Sequence, residues 1–247
     1  NNVPKKYYQF DLICAFDSIE NLSVSRDSLN QLEKFHNQTK DWLFGYISYD
    51  LRDELFKTKS KKPDSFARNN LTFFRPRHVI IIKNKKLVIE SIEDEESVSI
   101  FFEKISNYNY CKENLPKINF LARETKKTYL SKISKIKSHI QRGDIYEMNY
   151  CQEFYKENIS LSTQNLFMEL NNQTKSPFAT FLNIENFTII GTSPERYMLK
   201  QGNKIISQPI KGTSKRVSDK NEDNELKENL SKSAKDISEN IMIVDLV

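Results

Sequence analysis

The apolar positions of the chain fall into blocks whose spacing changes several times, and each change predicts a new element. In Asp41-Trp42-Leu43-Phe44-Gly45-Tyr46-Ile47-Ser48-Tyr49-Asp50, aromatic and β-branched residues are concentrated as in a buried strand. Its expected partner is His78-Val79-Ile80-Ile81-Ile82-Lys83. Asn84-Lys85 follows as a two-residue turn, and Lys86-Leu87-Val88-Ile89-Glu90 as the return strand. The first half therefore reads as antiparallel sheet behind a mixed opening. Ser97 to Ile105 reads as a short helix, and the polar, aromatic stretch from Asn107 to Lys117 as a linker and internal boundary.

From Thr125 the period lengthens. Tyr129, Leu130, Ile133, Ile136 and Ile140 recur at helical spacing with lysines on the other face, and Gly143 stands where a helix end favours a residue tolerant of positive φ. This predicts a helix over 125–142. Strand-like residues 145–156 follow, then a helix over 162–172 capped by Ser162 or Thr163, then strands over 178–184 and 187–191. Pro194 and Pro209 bracket a hairpin-like run from Tyr197 to Ile206. Residues 221–247 read as helical, and the apolar ending Ile241 to Val247 has no stop signal, which predicts a chain cut inside a domain.

Composition narrows the class without choosing a function. The 247 residues are 38% hydrophobic and 29% charged, as in a soluble protein, and suffice to bury a core. The net charge of +5 is spread along the chain, with acidic runs at Glu93 to Glu96 and Glu222 to Glu225, so no basic stripe marks a nucleic-acid partner. Cys14, Cys111 and Cys151 are scattered and show no metal-type spacing, which points to a reducing, cytoplasmic setting. No apolar run approaches membrane-spanning length.

Candidate chemistry centres on Gln208-Pro209-Ile210-Lys211-Gly212-Thr213. Lys211 is a potential nucleophile, and the hairpin would return it towards Glu195, 16 positions earlier in Ser193-Pro194-Glu195-Arg196. Glu195 could act as a general acid, while Gly212 and Thr213 could donate hydrogen bonds to a substrate carboxylate. Asp236 and Glu239, three apart on the final helix, share one face and suit a hard cation such as Mg²⁺. Each has an ordinary alternative. Lys211 could be a surface turn lysine, Glu195 an ion-pair partner of Arg196, and the carboxylate pair a solvated face beside Lys232 and Lys235.

Four ordered blocks resemble the chorismate-utilising enzymes, and most of all the aminodeoxychorismate synthase component I branch. Gly143-Asp144-Ile145-Tyr146-Glu147-Met148-Asn149 is similar to that family's Gly-Asp-x-Tyr-Gln-Val-Asn, and Ser193-Pro194-Glu195-Arg196-Tyr197 to its Ser-Pro-Glu-Arg-Phe. Pro209-Ile210-Lys211-Gly212-Thr213 matches Pro-Ile-Lys-Gly-Thr, and the block from Ala234 to Leu246 resembles Ala-Lys-Asp-Arg-Ala-Glu-Asn-Leu-Met-Ile-Val-Asp-Leu. The stretch Trp42 to Leu51 extends the likeness towards the N-terminus. Lysine at position 211 is similar to the aminodeoxychorismate, isochorismate and salicylate branches, whereas anthranilate synthases usually carry alanine there.

The resemblance implies an α+β fold, with antiparallel sheets packed as a sandwich and helices outside, like component I of anthranilate synthase and incomplete at the C-terminus. Residues 1–120 would form its N-terminal part and 121–247 the first half of the chorismate-binding region. It also implies an enzyme that converts chorismate and ammonia to 4-amino-4-deoxychorismate in p-aminobenzoate and folate synthesis. Lys211 would attack C2 of chorismate while Glu195 protonates the departing 4-hydroxyl, and ammonia would then displace the lysine. Gly212 and Thr213 would hold a substrate carboxylate, and Asp236 with Glu239 would contribute to the Mg²⁺ site. A glutamine amidotransferase subunit would supply the ammonia.

Family segments beyond the Ile-Val-Asp-Leu block are missing, so the chain alone is expected to be inactive. Ser176-Pro177-Phe178-Ala179 resembles a strand start that touches bound tryptophan in relatives, which implies a tryptophan contact at Pro177, Phe178 and Ala179. The matching N-terminal motif is not recognisable between Asp11 and Asn21. The remaining alternatives are anthranilate, isochorismate or salicylate synthase, and a non-catalytic homologue that binds a partner.

Overall fold

The structure, a computed structural model, describes residues 7–58, 66, 68–184 and 186–246. It divides into two compact units, residues 2–110 and residues 111–247.

In the first unit the element order is β1 (Leu12–Val24), α1 (Ser28–Thr39), β2 (Phe44–Ile47), α2 (Leu51–Leu55), β3 (Leu71–Lys83), β4 (Lys86–Ser91) and α3 (Glu95–Ser106). β3 is the spine. One edge pairs antiparallel with β1 from Leu71↔Val24 to Ile82↔Leu12. The other edge pairs with β2 from Leu71 to Phe74 and with β4 from His78 to Lys83. Leu71, Thr72, Pro76, His78, Val79 and Ile80 are buried along it. The β3–β4 turn has Asn84 at φ 50° and Lys85 at φ 63°, both left-handed, as a tight hairpin whose twist matches its strands requires.

The expected strand over 41–50 contracts to Phe44–Ile47. Asp41 turns its carboxylate to the Trp42 N–H and to Arg75, and the Leu51 N–H folds back onto the Ser48 carbonyl to start α2, so both ends leave the ladder. β2 also pairs with Leu71–Phe74 rather than with the 78–83 stretch. Gly45 is required here, because a Cβ would fall 1.9 Å from the Thr72 carbonyl oxygen. The mixed opening proves to be β1 followed by α1. Polar residues hide β1 in the sequence, because its register slips between Ser18 and Glu20, beside Pro76, which has no N–H to donate.

The start of α1 has an unusual cap. Asp27 sits at φ 51° without a side-chain capping bond, and Glu54 of α2 takes over. It accepts from the Ser28 N–H at 2.6 Å and from Ser28 Oγ at 2.7 Å, while Ser28 itself is fully buried. The Ser28 hydroxyl bond, with the backbone bond adding to it, holds the Glu54 carboxyl below the usual carboxylate range against the opposing effect of desolvation. α3 docks through Phe101, whose ring stacks on His78 at 4.1 Å and meets Phe16 edge-on.

The second unit contains β5 (Leu121–Ala122), α4 (Lys126–Gln141), β6 (Phe154–Tyr155), α5 (Thr163–Thr174), β7 (Phe178–Ile184), β8 (Phe187–Ser193), β9 (Arg196–Gln201), β10 (Lys204–Gln208), α6 (Lys220–Lys232) and α7 (Ala234–Leu246). Its strands form three separate antiparallel pairs, β5 with β6, β7 with β8, and β9 with β10. α4 follows the apolar period, with Thr125 accepting from the Thr128 N–H at its start and Gly143 at φ 79° past its end. Ser162 caps α5 by accepting from the Asn165 N–H. Only Phe154 and Tyr155 of the strand expected over 145–156 find a ladder, opposite Leu121 and Ala122. That short ladder is fastened by the fork of Arg123 on Glu153, at 2.8 and 2.9 Å, and by Arg123 lying over the Tyr155 ring. The expected last helix is two helices, α6 and α7, broken at Ser233. Among the described residues no helix is long and apolar enough to cross a membrane.

Candidate active site around Lys211

Every residue of the expected site belongs to the second unit, on three connections. The β8–β9 turn carries Glu195, the segment after β10 carries Lys211, Gly212 and Thr213, and the first two turns of α7 carry Asp236 and Glu239. The β8–β9 turn is closed by Ser193, whose Oγ accepts from the Glu195 N–H and donates to the Glu195 carbonyl, each at 3.1 Å. This small ring aims the Glu195 side chain towards the outgoing end of β10, where Oε1 accepts from the Ile210 N–H at 2.6 Å. Gly202 opens the β9–β10 turn with φ 56°, and the register Lys204↔Gln201 makes the hairpin short enough for this return.

Gly212 reaches the other wall. It lies against Asp236, so that a Cβ at position 212 would be 3.0 Å from Asp236 Cβ and Oδ1. Asp236 is placed by Ser233, whose Oγ accepts from the Asp236 N–H at 3.3 Å as the helix begins. Glu239, one turn on, has its Oε1 3.8 Å from Lys235 Nζ. Lys211, Gly212, Asp236 and Glu239 are half-buried, whereas Glu195 and Thr213 are exposed. The structure thus joins Glu195 to the Lys211 segment on one side and Asp236 to it on the other.

For a cation, the donor set is two carboxylates on one helix face. Mg²⁺ is commonly held by one or two protein carboxylates, with waters and substrate oxygens completing its shell, so the pair fits that mode. Among the described residues no cluster of three or more His, Cys, Asp or Glu forms a fuller cage.

Phe178 and Ala179 open β7 directly after Pro177, with Phe178 paired to Ser193 and Ala179 to Thr192. The Arg196 guanidinium covers the Phe178 ring at 4.9 Å and donates to Gln208 Oε1 at 2.9 Å, tying β7 to the hairpin below Glu195. Arg196 thus has a packing role that its motif position did not announce. At the end of α4, Asp144 is held below the usual carboxylate range first by the His139 bond and then by Arg142.

Sequence reasoning missed three parts of this arrangement. The Ile210 N–H and the Gly212–Asp236 contact are backbone and steric features without a residue signature. Ser233 did have one, since Ser233-Ala234-Lys235-Asp236 is a capping-box spacing. A shallow hollow of about 470 Å³ in the first unit is lined by His36, Lys40, Asp41, Trp42 and Leu43, none of which was singled out as a site residue.

Comparison with known proteins gives the context. Residues 7–247 match the family described as chorismate binding enzyme. Aminodeoxychorismate synthase component 1 of Escherichia coli K12 is 37% identical over 123 residues, covering 50% of this chain and 27% of that protein. Anthranilate synthase component 1 of Lactococcus lactis subsp. lactis is 26% identical over 216 residues, 82% of this chain and 47% of that protein. The crystal structure of anthranilate synthase component I from Streptococcus pneumoniae TIGR4 superposes with a TM-score of 0.77 at 19% identity, covering 95% of this chain and 60% of that one. That likeness shows the fold. The chain spans between about a quarter and a half of the length of the curated relatives it matches.

Proposed function

The chain belongs to the chorismate binding enzyme family, and from that premise we propose that it carries the acid and nucleophile of an aminodeoxychorismate synthase. The observation that carries the reading is the 2.6 Å bond from the Ile210 N–H to Glu195 Oε1, which brings the proposed acid beside the residue preceding the proposed nucleophile. In this reading Lys211 Nζ forms a bond to C2 of chorismate as Glu195 gives its proton to the departing 4-hydroxyl. Ammonia then bonds to C4 as the ring double bonds shift back and the C2–Nζ bond breaks, which frees the Lys211 amine and gives 4-amino-4-deoxychorismate. Dividing one difficult substitution into two is what a covalent intermediate contributes. Gly212 and Thr213 would bind a substrate carboxylate through backbone and hydroxyl donors. Asp236 and Glu239 would hold Mg²⁺, which would supply positive charge for a second carboxylate. A separate glutamine amidotransferase would supply the ammonia, and the pathway would be p-aminobenzoate and folate synthesis in the cytoplasm.

A second reading, anthranilate synthase, is favoured by the breadth of similarity. The Aquifex aeolicus anthranilate synthase component 1 aligns over 97% of this chain, although at 25% identity. Product analysis separates the two. The full-length protein incubated with chorismate and ammonia should form 4-amino-4-deoxychorismate, Lys211→Ala should abolish it, and Glu195→Gln should slow it by about 10²–10⁴-fold, the range for loss of a general acid. Anthranilate as the product, or undiminished turnover in Lys211→Ala, would overturn the proposal.

A further inference from the structure

Lys211 lies between two neighbours that are each held in place. On one side the Ile210 N–H is bonded to Glu195 Oε1 at 2.6 Å. On the other, Gly212 adopts φ +77° and rests so close to α7 that an added Cβ would lie 3.0 Å from Asp236 Cβ, 3.0 Å from its Oδ1 and 3.1 Å from its Cγ. Separations that short are tighter than most real contacts of a Cβ, so a side chain at position 212 requires Asp236 or the loop to shift by a few tenths of an ångström.

Two other glycines make the distinction sharp. Gly143 at φ +79° and Gly202 at φ +56° share the left-handed backbone, yet no described atom lies within 4 Å of a Cβ built on either. Those two positions need glycine for their backbone alone. Gly212 needs it for the backbone and for space.

We infer that Gly212 is a positioning residue for Lys211: together with the Glu195 bond to Ile210, its bare contact with Asp236 clamps the lysine backbone between the β8–β9 turn and the start of α7. The origin of the amine is then set before any ligand arrives, so less freedom is lost when the amine must meet a substrate carbon. Glu195 and Asp236 acquire a second task, as the two jaws of this clamp, beyond any acid or cation-binding role. The catalytic meaning of the clamp rests on the reading of Lys211 as nucleophile, whereas the clamp itself is a property of the loop and the helix.

The Ile210 amide is the natural reporter, because its protection from hydrogen exchange measures one jaw while the substitution is made at the other. In Gly212→Ala its exchange should accelerate about tenfold or more, while Gly143→Ala, strained alike but unobstructed, should leave it within about twofold of the parent. Asp236→Gly removes the obstructing atoms, so Gly212→Ala combined with Asp236→Gly should exchange like Asp236→Gly alone. That comparison decides the matter even if Gly212→Ala by itself folds poorly. Equal effects of Gly212→Ala and Gly143→Ala, or an acceleration by Gly212→Ala in the Asp236→Gly background as large as in the parent, would overturn the clamp. In turnover of chorismate by the full-length protein, Gly212→Ala should lower kcat more than it raises KM, as misplacement of a reacting group does. An intact exchange pattern together with full turnover in Lys211→Ala would leave the clamp standing and remove the proposed reaction instead.

Discussion

The two units use similar hairpins to different ends. In the first, β3 collects three neighbours along its two edges and buries Leu71, Val79 and Ile80, with Leu51 joining them from α2. In the second, each strand has a single partner, and among the described residues Ile184 is the buried apolar side chain. Tyr197, Met198 and Ile205 of the β9–β10 hairpin and Ile237, Ile241 and Val244 of α7 are all exposed. The unit that carries the candidate chemistry is thus the one with the smaller buried core. Sites that must admit ligands draw on regions of low local stability, and a clamp built from a backbone bond and a missing Cβ supplies order where packing supplies little.

Mutation can break this contrast. Leu71→Ala, at a fully buried position on the spine, should cost about 4 kcal/mol, near the top of the range for such truncations. Ile184→Ala, at the rim of a two-stranded sheet, should cost about 2 kcal/mol. Denaturant midpoints followed by far-ultraviolet circular dichroism would compare them, and equal losses would mean that the second unit has a core as firm as the first.

Ser28→Ala removes the buried hydroxyl from Glu54 and should destabilise the first unit by about 1–2 kcal/mol, as the loss of a bond to a charged group does. The same bond sets a pH dependence. Because the folded state holds the Glu54 carboxyl below its ordinary value near 4.5, its stabilisation is present above that value and is lost as pH falls through the lower folded value. Glu54→Gln should therefore flatten the stability profile on the acid side of about pH 4.5, measured as midpoint against pH. An unchanged slope would detach Glu54 from the cap. The smallest effect is expected in the second unit, where Ser162→Ala should cost about 1 kcal/mol through the cap of α5. A cost equal to that of Leu71→Ala would erase the distinction.

What could be read in advance was local. The β3–β4 turn was signalled by Asn84 between two apolar runs, and α4 by its period, Thr125 and Gly143, because those signals act within a few residues. β1 was illegible for a physical reason: its bulge beside Pro76 breaks the alternation on which strand reading depends. Ser28 and Glu54 stand 26 residues apart, and no local pattern tells a buried serine that a distant carboxylate will cap it. Glu195, Lys211, Asp236 and Glu239 stood out as candidates by residue type, by spacing and by family likeness. Their spatial relation required the Ile210 N–H and the gap at Gly212, neither of which has a spelling.

One feature of the first unit has a use beyond stability. Trp42, the single tryptophan in 247 residues, donates its indole N–H to Glu90 Oε2 at 2.7 Å, and its ring lies 6.0 Å from that of Phe44. Red-edge excitation therefore selects one lamp, lodged where the β2 and β4 sides of the sheet meet. Its emission will follow melting of the first unit while the second remains dark, so the first can be timed by itself without a label.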